Sequence, residues 1–235
     1  TTSEARDASH DGSVIVGTCE QPGGGRAAFR WTQSGGMQSL GGGTTAEAIS
    51  GNGTTVVGTF TNQPRAMYWT QASGMQLLNP LGGTGAADAR AVNFDGSIIV
   101  GNSEPAFVAT MWINAVPIEL TNTIPNSRLT PMGVSDAGTV VAGVMSAEVG
   151  GQFAGVWTPE TGIVRLDQYL VSRGVTLPAG INLGRATAVS SDGFTFAGYT
   201  DNGPYGVQGW VATIPSPSAA ALLGLAGLMA ARRRR

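Results

Sequence analysis

The chain contains no lysine, one cysteine and one histidine. All 13 basic residues are arginine, and four of them form the C-terminal run Arg232, Arg233, Arg234 and Arg235. The remainder sets 9 arginines against 15 Asp and Glu, a net charge of −6 by that count. A mildly acidic body is a poor counterion for phosphate, which argues against a nucleic-acid partner. The single cysteine, Cys19, excludes an internal disulfide framework and any multi-cysteine metal site. The single histidine, His10, sits beside Asp11 but has no visible partner, so neither a histidine metal site nor a Ser-His-Asp triad has a ligand or residue set. Charged residues make up only 12% of the chain, yet 42% hydrophobic content argues against disorder. No secretory leader follows Thr1, and this reads as a missing start, not as a sign of the cytoplasm.

What is present is a repeat. Residues Ala91 to Leu120 hold a short apolar run, an Asp-Gly turn, a β-branched run closed by Gly101, a run ending in Trp112, and a last run ending in Leu120. The pattern recurs as DASHDGSVIVG, AISGNGTTVVG, GVSDAGTVVAG and AVSSDGFTFAG, each followed by a segment containing Trp. Turn glycines fall at Gly12, Gly53, Gly96, Gly138 and Gly193, spaced by 41, 43, 42 and 55 residues. The closing glycines Gly17, Gly58, Gly101, Gly143 and Gly198 repeat those intervals, and Trp31, Trp69, Trp112, Trp157 and Trp210 follow less strictly. A period near forty residues signals an array of one supersecondary unit.

Each unit offers four short β-branched or aromatic segments. In the second they are Glu47 to Ser50, Thr54 to Phe60, Arg65 to Thr70 and Gly74 to Leu78, separated by Gly, Asn, Pro and Ser. Asn52-Gly53, Asp95-Gly96 and Asp192-Gly193 read as two-residue hairpin turns. Four antiparallel strands every forty-odd residues is the arithmetic of an all-β fold, a β-propeller of about five blades. The blades are placed at about 1–41, 42–83, 84–125, 126–180 and 181–213. A β-solenoid, with a shorter coil and fewer turns per repeat, fits less well. The Trp is expected to fill the gap between neighbouring sheets. The closing Gly is expected to admit a neighbouring backbone or mark a bulge.

Two regions depart from the repeat. Asp167 to Arg185 is an insertion in which Leu166, Tyr169, Leu170 and Arg173 lie at helical spacing before Gly174, predicting one short helix. The fifth unit stops after its Trp-bearing segment, with no counterpart of GMQSL. The missing strand is the one that would precede Thr1, so the expectation is a five-unit arc or imperfectly closed ring with an unpaired edge in its last blade. The natural protein is accordingly expected to extend further N-terminally.

Other candidates have simpler readings. The positions equivalent to His10 are Gly51, Phe94, Asp136 and Ser191, the variation of an exposed turn residue. Asp11, Asp95 and Asp192 lack the spacing of a calcium loop and each serves its own turn. Gly41 to Gly43 followed by Ala46 lacks the long helix of a dinucleotide site and reads as an inter-blade loop, as do Gly82 and Gly83. Cys19, beside Glu20, is placed in a loop as an ordinary thiol. Glu104 and Glu119 are solvated surface unless the fold brings facing carboxylates to them. Nothing calls for a cofactor or metal.

Beyond Ile214-Pro-Ser-Pro217, Ala219 to Ala231 are thirteen uncharged small or apolar residues, and the basic stop Arg232, Arg233, Arg234 and Arg235 follows at once. As a helix the apolar segment is about 20 Å, short against a hydrocarbon core near 30 Å, and the four arginines would stay cytoplasmic. Residues Ile214 to Arg235 resemble a PEP-CTERM sorting signal, with Pro215, Ser216 and Pro217 in place of the family's Pro-Glu-Pro. The body resembles the HAF repeat of predicted extracellular proteins, through Asp-Gly, a Val- or Ile-rich run and Gly, and through Ala28 to Trp31. The resemblances imply a bacterial secreted or cell-surface protein, transiently anchored by its C-terminal helix and processed by an exosortase-type enzyme. Two functions follow as expectations: a non-enzymatic structural or binding module for a glycan or protein, and alternatively an extracellular polysaccharide hydrolase or lyase with carboxylates in the propeller channel.

Overall fold

The computed structural model describes residues 2–22, 24–147, 151–200 and 206–215. Three expected features lie outside the described residues: the Ser216 and Pro217 part of the sorting motif, the apolar helix from Ala219 to Ala231, and the basic stop formed by Arg232, Arg233, Arg234 and Arg235. Five antiparallel sheets follow one another along the chain, each a simple up-and-down meander. The first comprises β1 (Ser3–Ala8), β2 (Val14–Glu20), β3 (Arg26–Thr32) and β4 (Gly36–Gly42). The second comprises β5 (Thr44–Ile49), β6 (Thr55–Phe60), β7 (Arg65–Thr70) and β8 (Gly74–Leu77), and the third β9 (Ala87–Val92), β10 (Ile98–Ser103), β11 (Val108–Ile113) and β12 (Val116–Glu119). The fourth is β13 (Ser127–Val134), β14 (Val141–Ala147), β15 (Gly151–Thr158) and β16 (Gly162–Arg165), followed by α1 (Leu166–Ser172). The fifth has three strands, β17 (Arg185–Val189), β18 (Thr195–Tyr199) and β19 (Gly209–Thr213).

The sheets stack radially into a β-propeller. The first strand of each blade packs on the first strand of the next, from β1 to β5, β9, β13 and β17; among the described residues no comparable packing joins β17 back to β1. Every hydrophobic cluster spans two blades. Val14, Val16 and Leu40 of the first meet Ile49, Val56 and Trp69 of the second, and Ala48, Val57 and Leu78 of the second meet Ile99 and Trp112 of the third. Trp157 enters the same cluster as Met111 and Leu120, one blade earlier. Each buried Trp is thus pressed against the preceding sheet. Trp112 is fully buried and donates Nε1–H to the carbonyl of Asn79 at 2.7 Å. Trp31, with no preceding sheet among the described residues, and Trp210 are half-buried.

The closing glycines explain how the innermost strands sit. A Cβ on Gly17, Gly58, Gly101, Gly143 or Gly198 would fall inside the carbonyl oxygen of Glu4, Thr45, Asp88, Thr130 or Arg185 respectively. In all five blades the first strand then skips one residue in register, opposite that glycine. Close backbone approach and bulge are one feature.

Three local expectations are corrected. The Asn-Gly and Asp-Gly turns are four-residue loops, not two-residue hairpins. Ser50 N–H donates to Thr55 O and Gly53 N–H to Ser50 O, both at 2.8 Å, leaving residues 51–54 as the turn. Gly53 takes φ +73° while Asn52 stays out of the left-handed region. The reason is the Asn52 side chain, which accepts Thr54 N–H at 3.0 Å and the Ser50 and Thr54 hydroxyls at 2.7 Å, an Asx turn in place of the paired positive φ of a tight hairpin. Cys19 lies within β2, paired with Ser3 and Ala27, because the β-branched run carries the ladder on to Glu20. Gly41 and Gly42 belong to β4, where Ala27 pairs Gly42 across a register shift.

The insertion forms α1, which ends at Arg173 and Gly174 (φ +84°) and buries Leu166, Tyr169 and Leu170 against the fifth blade's Phe196. No helix among the described residues is long and apolar enough to cross a membrane.

Replacing Trp69 or Trp112 by Ala is expected to cost about 3–5 kcal/mol, as for large buried aromatics, and Trp31→Ala distinctly less. Urea denaturation of the three variants measures this; equal losses would contradict the inter-blade packing role.

Candidate functional site

The bulges decide what faces the centre. The skipped residues are Arg6, Glu47, Arg90, Met132 and Thr187, each six positions before its turn glycine. All five line a central channel of about 420 Å³. Charge is confined to the first three blades; the fourth and fifth contribute a thioether and a hydroxyl.

The charged groups are held differently. Arg90 is fixed by two hydrogen bonds to Asp88, Nε to Oδ1 at 3.2 Å and Nη2 to Oδ2 at 2.8 Å, and Asp88 also accepts the Asn102 N–H at 3.0 Å. A bidentate pair of this kind orients the guanidinium plane. Arg6 meets Glu4 at 3.4 Å with both side chains exposed, an ion pair of little energetic weight. Asp7 stands where the other blades have Ala48, Ala91, Gly133 and Ala188. Its carboxylate accepts Ala8 N–H at 2.8 Å and, across the blade interface, Ile49 N–H at 2.9 Å. Glu47 is half-buried and its carboxylate makes no hydrogen bond or ion pair among the described residues. The channel therefore presents one uncommitted carboxylate between two arginines, with Asp7 occupied by backbone donors.

The turns form a belt on one rim. His10 N–H donates to Gly51 O, Asn52 N–H to Phe94 O and Asp136 N–H to Ser191 O, each at 2.9 Å, while Phe94 N–H reaches Asp136 Oδ1 at 3.2 Å. The Phe94 ring covers Gly51, where a Cβ would collide with it, and meets the His10 ring edge-on at 5.9 Å. The turn glycines Gly12, Gly53, Gly96, Gly138 and Gly193 all take positive φ in these loops.

The remaining candidates are dispersed. Asp11, Asp95 and Asp192 lie in separate turns, each bonded to its own loop, and no metal-ligating group of three His, Cys, Asp or Glu occurs among the described residues. Cys19 Sγ contacts Ala27 O at 3.5 Å. Glu119 lies on a cleft between the third and fourth blades and Glu104 on a different one between the second and third. Pro215 is exposed just after β19. Sequence reading missed the channel residues, although their constant offset from the turn glycine was available.

No family model matches the chain, and no curated protein matches it. Solved structures do. TolB from Acinetobacter baumannii matches 86% of this chain and 49% of its own at TM-score 0.58 and 13% identity. A putative TolB from Agrobacterium tumefaciens matches 88% and 73% at 0.55 and 16%, and a puromycin hydrolase 87% and 36% at 0.55 and 12%. The chain spans about half the length of the first of these. At such identities the likeness to TolB-like β-propellers shows the fold alone.

The turn aspartates make a pH prediction. The Ser13 N–H, followed by the Ser9 and Ser13 hydroxyls, lowers the Asp11 carboxyl from 3.8 to about 2. The hydroxyl and N–H of Ser97 lower Asp95, and the Ser190 hydroxyl and Phe194 N–H lower Asp192. A depressed folded pKa gives stability that is present above the unfolded value and lost as pH falls through the folded one. Stability should therefore decline between about pH 4 and pH 2. Because Asn52 already fills this role in the second blade, replacing all three aspartates by Asn should keep the fold and flatten that decline. Acid titration followed by tryptophan fluorescence reads it; an unchanged profile would refute the assignment.

Proposed function

We propose that the chain is a secreted or cell-surface, non-enzymatic binding module whose ligand seats in the central channel. The observation that carries this is the unpaired, half-buried Glu47 between Arg6 and Arg90, facing Met132 and Thr187. An acceptor flanked by donors on a partly apolar wall suits a hydroxyl- or amide-bearing ligand, a glycan or an extended peptide. The resemblance of Ile214 to Arg235 to a sorting signal supports placement at the cell surface after processing by an exosortase-type enzyme. The exposed Pro215 lies two residues past the last strand, so processing beyond it would leave the five sheets intact.

A second reading, a polysaccharide hydrolase or lyase, draws on the same grouping of Arg6, Asp7, Glu47 and Arg90. Its hydrolase form ranks lower because a paired-carboxylate mechanism needs two available carboxyl groups, and Asp7 is engaged by two backbone N–H groups.

Glycan and peptide arrays probed with the full chain test the first reading. Glu47→Gln is expected to weaken the bound ligand at least about tenfold, the loss of one charge-assisted hydrogen bond. Absence of any ligand whose binding falls with Glu47→Gln would overturn it; shortening of a bound polysaccharide on incubation would replace it with the second reading. Mass spectrometry of surface-extracted protein should find a C-terminus near Pro217, and Arg235 on the surface-exposed form would refute the sorting reading.

A further inference from the structure

The five blades are each other's control, so a position where one blade breaks the common pattern at a cost to itself is informative. After the turn glycine, four blades carry a hydroxyl: Ser13, Thr54, Ser97 and Thr139. In the first three that hydroxyl bonds the turn's Asp or Asn, at 2.8, 2.7 and 2.5 Å. The fifth blade has Phe194 instead, a residue 39% exposed. Its turn holds without a hydroxyl there, because Phe194 N–H and the Ser190 hydroxyl still bond Asp192 Oδ1. The phenyl ring thus contributes nothing to the turn and is not buried in a core.

The second departure, the insertion carrying α1, lies directly beside it. Between the fourth and fifth blades the two open a cleft of about 470 Å³. Its walls are Phe194, Pro159 and Pro215, and its floor is Val140, Tyr169 and Ile214, all three buried. Polar groups ring the apolar part. Arg173 bonds Glu160 at 3.0 Å and lies 5.1 Å above the Tyr169 ring. Asp192, also on the cleft, uses only Oδ1 within its turn, which leaves Oδ2 as an acceptor.

We infer that this cleft is a second binding site, separate from the channel, for a neutral hexopyranose chain. A sugar ring with equatorial hydroxyls has a flat C–H face that fits an exposed phenyl ring, and a rim of hydroxyls that fits carboxylate acceptors and a guanidinium donor. Charge excludes the acidic class. Glu160 and Arg173 compensate each other, and Asp192 leaves the cleft one negative charge in excess, which repels uronates.

The test uses the full chain with cellohexaose, hexa-N-acetylchitohexaose and tetragalacturonate, read by isothermal titration calorimetry. One or both neutral hexasaccharides should bind with sub-millimolar affinity and tetragalacturonate should not. Phe194→Ser restores the residue type of the other blades, so the fold tolerates it; it should weaken binding about tenfold with no loss of melting temperature. Phe194→Trp should retain binding, and Glu47→Gln, confined to the channel, should leave it unchanged. The inference is overturned if neither neutral sugar binds, if tetragalacturonate binds best, if Phe194→Ser binds as well as the parent, or if Glu47→Gln removes the binding. Since the two sites answer to different substitutions, failure here leaves the channel reading standing.

Discussion

Each innermost strand drives one carbonyl into the space that a side chain on the closing glycine would fill. This contact sets much of the rest. It demands glycine at five equivalent places and accompanies a one-residue slip in the ladder, and the slipped residue turns out of the sheet toward the axis. A residue so displaced owes nothing to hydrogen-bond register and little to inter-blade packing. Its identity is therefore free to follow function, and its chemistry varies from blade to blade: Arg6, Glu47, Arg90, Met132, Thr187. The most constrained position in the repeat creates a weakly constrained one beside it.

The same division holds at the outer rim. Four of the five turns are fixed by a side-chain acceptor in the middle of the loop, Asp11, Asn52, Asp95 or Asp192, all five have a Ser or Asn ahead of it, and backbone bonds link neighbouring turns blade to blade. What projects from that belt is unconstrained, and it differs in every blade. Where Gly51 leaves room, Phe94 reaches across the second blade to His10. The repeat thus supplies a rigid frame from its invariant positions, and any recognition resides in the exceptions.

The strands, the meander order and the pairing of turn and closing glycines were legible because each rests on local chemistry: β-branched runs, positive φ, absent side chains. The helix from Leu166 was legible from its own periodicity. The turn type was misread because Asn-Gly and Asp-Gly favour a tight hairpin in isolation. Here the Asp11, Asn52 and Asp95 side chains compete successfully for the loop N–H groups. Cys19 was misplaced because nothing in a β-branched run marks where the ladder ends. The channel was not legible in chemical terms. Arg6 and Glu47 are 41 residues apart, and only the stacking of sheets brings them to one axis. The cleft at Phe194 was hidden for the same reason, since it needs α1 and two blades to exist.

Packing between neighbours also grades the site. In a stacked array each unit is stabilised by the units packed on either side of it. The gradient is visible in the tryptophans, buried in the second, third and fourth blades and half-buried in the first and fifth. The channel follows it: among the described residues Arg6 and Thr187, on the first and fifth blades, are exposed, while Glu47, Arg90 and Met132 are half-buried. The unpaired carboxylate is therefore placed where water screens least and the supporting sheets are most firmly packed. An acceptor meant only to solubilise the surface would gain nothing from that position. One that must meet a ligand in a fixed orientation gains both electrostatic strength and rigidity, which is why Glu47 rather than the more exposed Arg6 anchors the functional reading.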